Sequence, residues 1–231
     1  MLEYRGRFLG GLMMKIAIDG PAGAGKSTVA KILSQLMSYI YIDTGAMYRS
    51  LTWKALQTGT NLDDEKALYE LATNTNIHFQ KDDSQQKVFC DSFDVSEEIR
   101  SPRISSYVSK LASYPSIRRL MVQRQQEMAC NHSVVMDGRD IGECVLPGAD
   151  YKFFLTASIA ERARRRLEEM KSQGYEQQLD SIIDEIRKRD EDDACRDVGA
   201  LKVLPDSIVI DTSNMTIEQV VEKILSIIRE D

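Results

Sequence analysis

Apolar positions along this chain switch between two spacings, and the switches outline its elements. Residues 15–19, KIAID, form a short apolar run closed by a glycine, the pattern of a buried strand. A helix then begins near Lys26, with Val29, Ile32, Leu33 and Leu36 on one face. Residues 40–42 return to a β-branched strand with Asp43 at its carboxyl end, and 45–57 turns helical. Residues 63–73 predict a further helix, whose leading acids suit its positive end. The segments NIHFQ and KVFCD, parted by the polar turn KDDSQQ, predict an antiparallel hairpin, and SFDV a third short strand. Pro115 separates two helices, 101–114 and 116–129. Strands follow at 134–136 and 152–155.

Ser158 and Glu161 make a capping box for a helix that carries Arg162, Arg164, Arg165 and Arg166. Gly174 lies in a polar loop tip at 173–178, and a second helix, 179–191, leads into Arg196 with Arg187, Lys188 and Arg189 on it. Last come the strand SIVID, ending at Asp211, and a helix capped by Thr216 and Gln219. Its Ile217, Val220, Val221, Ile224, Leu225 and Ile228 form one apolar stripe, read as core.

Alternating strands and helices predict an α/β fold, a three-layer doubly wound parallel sheet. Its core spans 15–72 and 114–231. Three short β segments among helices do not fit such a sheet, so about 73–113 is an inserted small antiparallel β and helical region. The two arginine-bearing helices, about 158–196, predict a helical lid. Like charge is expected to hold those helices apart until phosphates neutralise them.

Composition narrows the function. The chain has 231 residues and a net charge of −6, which excludes a nucleic-acid-coating protein and confines basic sites to local clusters. Four scattered cysteines and two histidines offer neither a disulfide framework nor a zinc site, so a reducing cytoplasmic setting is expected. No apolar run has the length of a membrane span. Residues 1–14 resemble a leader only weakly, because the apolar part is short and runs straight into the first strand; a loose extension is expected, or an upstream start with Met13 or Met14 as the working one.

The chemistry centres on KIAIDGPAGAGKST. Gly20, Gly25, Lys26 and Ser27 fill the fixed positions of GxxxxGK[ST], the phosphate-binding loop. Its backbone N–H groups and the new helix's positive end hold an anion, Lys26 adds a point charge, and Ser27 offers a hydroxyl to magnesium. Asp137, after a buried strand, stands where the acidic partner of such a loop is expected. Asp43, Thr44 and Arg49 fall at the carboxyl ends of strands, where ligands sit in open α/β sheets. No Cys–His or Ser–His pair is evident. A phosphorylated acceptor, anionic near neutral pH, needs no strong general base, so the arginines point to a small kinase of a phosphate.

The motifs GPAGAGKST, YIDTGAMYR, DGRDIG and RDEDDACR, in this order and spacing, resemble those of bacterial cytidylate kinases, nucleoside monophosphate kinases of the P-loop class. The resemblance runs from about residue 15 to the end. It implies in-line transfer from ATP to CMP or dCMP with magnesium. It further implies small-molecule partners only, no nucleic acid or membrane, and a monomer. ATP would lie on Gly20, Pro21, Ala22, Gly23, Ala24, Gly25, Lys26, Ser27 and Thr28. CMP would be held by Thr44, Arg49, Ser109, Arg118, Arg139, Asp140, Arg189, Asp193 and Arg196. Ser109, Arg118 and Asp140 would read the base, while Arg189 and Asp193 would contact the sugar. The catalytic set would be Lys26, Arg139, Arg196 and Asp137, with Ser27 on the metal. Ser38, Ala194, Cys195 and Ala200 depart from the usual pattern, and Glu143 is expected to add negative charge near the acceptor. Alternatives are another P-loop small-molecule or nucleoside monophosphate kinase, or a non-catalytic nucleotide-binding module. A guanine-reading switch would need NKxD, and none of the five asparagines precedes a lysine.

Overall fold

Five parallel strands set the frame of the protein, whose computed structural model describes residues 13–81 and 86–230. In chain order the first half runs β1 (Lys15–Asp19), α1 (Lys26–Met37), β2 (Ile40–Asp43), α2 (Thr44–Gln57) and α3 (Glu65–Thr73). Next come β3 (Ile77–Lys81), β4 (Gln86–Cys90), β5 (Phe93–Asp94), α4 (Pro102–Leu111) and α5 (Pro115–Ala129). The second half is β6 (Val134–Gly138), β7 (Tyr151–Thr156), α6 (Ile159–Ser172), α7 (Leu179–Ala194), β8 (Ile208–Asp211) and α8 (Ile217–Glu230). Residues 1–12 of the expected extension, and 82–85 of the hairpin turn, lie outside the described residues.

The sheet order is β2-β6-β1-β7-β8, with β1 and β6 paired from Lys15↔Val134 to Asp19↔Gly138. Strand periodicity sends neighbouring residues to opposite faces. Ile16, Ile18, Val135, Phe153 and Leu155 pack with α1 and α8 in one buried cluster. Ala17, Ile42, Val134 and Met136 pack on the other face with α2, α3 and α5, and the inserted hairpin and α4 join that same cluster. The expected doubly wound architecture is therefore present.

Boundaries shift for local reasons. Thr44 opens α2 at once because Asp43 caps it, accepting from the Ala46 N–H at 2.7 Å. Asp64 does the same for α3, so that helix starts at Glu65 and not Asp63. Pro115 is the first residue of α5, the position where a missing N–H costs least. Along α1, Val29 and Leu33 are buried as expected, but Leu36 is exposed and Met37 takes its place in the core. Ser38 ends that helix at φ 57°, a left-handed conformation that favours glycine. Ile217, expected in the core stripe of α8, is exposed at its first turn.

Candidate active site

The phosphate-binding turn leaves β1 at Gly20, where a Cβ would strike the Leu155 carbonyl on the neighbouring strand; only glycine fits there. Gly25 caps α1 at φ 88°, so the helix begins at Lys26 with its N-terminal end facing the turn. Lys26 is 5% exposed and its Nζ donates to the Pro21 carbonyl at 2.7 Å. Burial, then the nearby Arg139 charge, pulls the Lys26 ammonium well below its usual pKa against the pull of Asp137. An anion at this point would restore the favoured charge. Ser27 Oγ donates to Asp137 Oδ2 at 2.7 Å, bringing the loop hydroxyl and the strand-end acid together as the motif spacing implied.

Two connected cavities open from this turn. The larger, about 880 Å³, runs over residues 22–29 beneath α6 and α7 and reaches Thr212, Met215, Ile217 and Val220. Exposed Ile217 thus lines a cleft, which explains its departure from the core stripe. The smaller, about 220 Å³, holds Thr44, Arg49, Ser109, Arg118, Arg139, Asp140, Arg189, Asp193 and Arg196 together. Lys26, Arg49, Ser109 and Arg189 line both.

The smaller cavity is built on buried ion pairs. Arg118, 1% exposed, donates to Asp140 Oδ2 at 2.5 Å and to the Ala112 carbonyl at 3.1 Å, with its guanidinium 5.6 Å from the centre of the Tyr48 ring. Asp193, also 1% exposed, accepts from Arg139 Nε at 2.6 Å through one oxygen and pairs with Arg196 through the other. Burial alone would raise the Asp193 carboxyl, but Arg139, Arg196 and Arg189 hold it below the usual range. Burial, then Arg139, lowers Arg189 to about 10. The Nε atoms of Arg49, Arg118, Arg189 and Arg196 are all buried without a hydrogen-bond partner. Four orphaned guanidinium donors around one cavity form a ready receptor for an anion.

Several contributors were not legible in the sequence. Tyr41 donates to Asp137 Oδ1 at 2.8 Å, so both oxygens of that acid are held. Burial, then Asp43, raises the Asp137 carboxyl. Thr44 Oγ1 donates to the Asp137 carbonyl at 2.7 Å. Gly199, at φ 65°, lies so close to Asp140 and Arg118 that a Cβ would collide with both side chains. Its only sequence signal was a lone glycine after the arginine-rich stretch. The helix read as 179–191 continues to Ala194, because its acidic end is fixed from outside by Arg139. That places Asp193 on the last turn, three residues before Arg196.

The arginine hairpin corrects one expectation. α6 and α7 are not held apart: Ala163, Met170, Ile182 and Ile186 form a small core between them. The α6 charges are already compensated, Arg164 by Glu161 and Glu168, Arg165 by Glu161, and Arg166 by Glu169. Arg162 is no phosphate patch residue. It is 4% exposed and binds Asp190 at 2.6 and 3.0 Å and the Ala22 carbonyl at 3.1 Å, tying the hairpin to the phosphate-binding turn. Glu143 is corrected likewise: it pairs with Lys202 at 2.6 Å and lines neither cavity.

Hydroxyl and carboxylate oxygens at Ser27 and Asp137 are hard donors of the kind magnesium takes beside phosphate and water. Among the described residues no cluster of three or more His, Cys, Asp or Glu suits an all-protein metal cage. The donor set fits a metal that arrives with a polyphosphate.

Residues 16–230 match the family described as Cytidylate kinase. The cytidylate kinase of Caldanaerobacter subterraneus subsp. tengcongensis is 49% identical over 220 residues, which cover 95% of this chain and 96% of that protein. That of Bacillus pumilus is 52% identical over 212 residues, covering 92% of this chain and 94% of the relative. Among solved structures, an uncharacterized protein from Eubacterium ventriosum superposes with a TM-score of 0.50 at 13% identity, covering 95% of this chain and all of that one, a likeness of fold alone.

Proposed function

The chain belongs to the cytidylate kinase family and phosphorylates CMP as a P-loop nucleoside monophosphate kinase, and from that premise we propose how its residues divide the work. The larger cavity takes ATP. Its triphosphate lies on residues 20–28, and its base on the apolar shelf of Met215, Ile217 and Val220. The smaller cavity takes CMP or dCMP. Arg49, Arg139 and Arg196 hold the acceptor phosphate and Arg189 stands at the sugar, while Arg118, Asp140, Ser109 and Thr44 face the cytosine. Asp140 accepts from the exocyclic amine, and Arg118 and the Ser109 hydroxyl donate to N3 and O2. The Thr44 hydroxyl, its proton given to the Asp137 carbonyl, can only accept. A sugar contact at Asp193 is secondary, since both its oxygens already serve arginines. The single observation that carries this division is the set of four unpartnered buried guanidinium nitrogens around the smaller cavity.

Transfer itself asks for alignment and charge compensation. Lys26 and Arg189 line both cavities, so they face the γ-phosphoryl group along its path. Arg139 and Arg196, oriented by Asp193, meet the attacking phosphate oxygen. Ser27 and Asp137 would hold magnesium, which when bound neutralises charge on the donor phosphates. The hairpin 158–196 closes as a lid and excludes water, so that the phosphoryl group passes to CMP and not to solvent. The insertion, about 73–113, carries Ser109 to the acceptor.

All four cysteines are free, which suits a reducing cytosol. No helix among the described residues is long and apolar enough to cross a membrane. One chain supplies every proposed contact, so the monomer is the working unit. A coupled assay of ADP release with CMP, dCMP, UMP, AMP and GMP tests the reading: CMP and dCMP should be the preferred acceptors, and a preference for AMP or GMP would refute the acceptor assignment.

A further inference from the structure

Asp19 ends β1 one residue before the phosphate-binding turn and is 6% exposed. Its two oxygens serve two consecutive backbone donors, Oδ1 accepting from the Ile141 N–H and Oδ2 from the Gly142 N–H, each at 2.8 Å. Those N–H groups open the tight turn Ile141–Val145, directly after Arg139 and Asp140. A turn of this kind leaves its first donors without internal partners. Asp140, in the capping position, makes no cap of its own, since its carboxylate is committed to Arg118. The cap is supplied from a different strand.

We propose that Asp19 is a positioning residue for the acceptor. By fixing the first two amides of this turn, it sets where Arg139 and Asp140 stand in the smaller cavity. The carboxyl end of β1 then serves both substrates, launching the donor loop at Gly20 and pinning the acceptor residues through Asp19. The inference rests on the acceptor pocket assigned above. The charges facing Asp19 are Lys26, Arg139 and Asp140. Burial outweighs the two N–H bonds and raises its carboxyl to about 6. An apolar residue would spare the chain that desolvation but orphan two buried donors. Asparagine would satisfy one amide with its oxygen and present its own N–H₂ to the other.

Initial rates of the Asp19→Ala and Asp19→Asn variants test the assignment, with folding checked by near-UV circular dichroism. CMP and UMP are varied at saturating ATP, then ATP at saturating CMP. In D19A the KM for CMP should rise about ten- to a hundredfold, the range to which an unpaired buried donor converts, while the KM for ATP stays unchanged. Discrimination between CMP and UMP should shrink, and D19N should show the same split more weakly. A folded D19A with an unaltered KM for CMP would overturn the proposal. So would a parallel rise for both substrates, or failure of both variants to fold, which would assign Asp19 to the core alone. An unmodified enzyme that does not phosphorylate CMP would instead undo the acceptor assignment itself.

Discussion

The cleft proposed for the donor and the pocket proposed for the acceptor share Lys26, Arg49 and Arg189, yet they are built on opposite plans. The donor side is local: nine consecutive residues, 20–28, fold a turn onto the start of a helix. Above it sits a hairpin whose α6 arginines are partnered by glutamates of their own helix. The acceptor side is assembled at long range from α2, α4, α5, the end of β6, and α7 with the residues after it. Its charges are buried in pairs, Arg118 with Asp140 and Asp193 between Arg139 and Arg196. Burying a pair is expensive, and breaking one leaves an uncompensated charge, so such a network costs stability in order to hold one geometry. On the proposed division, phosphate would be gripped by a common device and the base chosen by a pre-built one.

That contrast can be broken first at its donor end. Lys26→Ala removes the buried ammonium of the cradle and should cost on the order of 3–5 kcal/mol in the transfer step, by loss of electrostatic stabilisation. Single-turnover rates measure it, and near-normal turnover in a folded variant would end the assignment. Asp140→Ala strikes the other side. It leaves Arg118 charged and buried, and should lower kcat/KM for CMP by about 3 kcal/mol and erode CMP selectivity, with ATP affinity kept. Equal loss for both nucleotides, read by titration calorimetry, would make Asp140 a structural residue.

The effect of pH sharpens the comparison next. Asp19 titrates at about 6 in the folded protein against 3.8 as its ordinary value, so the native state takes up its proton first as pH falls. Its ionised form therefore weighs against folding at neutral pH, and that cost disappears between about pH 6 and 4. Relative to D19N, the parent should gain up to about 3 kcal/mol of stability across that window. Denaturant melts of the two proteins at pH 7.5 and pH 4.5 measure the change, and a constant difference would contradict it. Glu161, held near 2 by Arg164 foremost, works in the opposite sense below that window, but it is common to both proteins and cancels. The smallest effect lies away from both cavities. Ser38→Gly relieves a left-handed helix end and should stabilise the fold by about 0.5–1 kcal/mol with kinetics unchanged, as thermal melts will show.

The two sides also differed in how far the sequence disclosed them. Strand alternation, helix faces and the loop motif are short-range patterns, so the sheet, its helices and residues 20–28 emerged from spacing alone. Of the acceptor residues, Thr44 and Arg49 were placed at a site edge by their strand-end position and the rest only through resemblance, because no local period announces that Arg118 will meet Asp140 or that Gly199 must leave them room. The hairpin was misjudged because charge was counted without its partners: a run of arginines reads as repulsion until Glu161, Glu168, Glu169 and Asp190 are seen beside it. Tyr41 and the role of Asp19 were missed, and Arg162 was misread as one of the charged run, since each acts across strands or between elements.

If the acceptor floor is pre-built and the donor side completes itself on binding, the two should respond differently to substrate. Amide hydrogen exchange, with and without a bisubstrate analogue linking adenosine and cytidine through phosphates, reads both at once. Residues 158–196 and the phosphate-binding turn should gain protection with the analogue. The amides of Ile141 and Gly142, already held by Asp19, should be protected in both states and change little. Equal gains in the two regions, or protection of 158–196 that is complete before the analogue is added, would contradict the account.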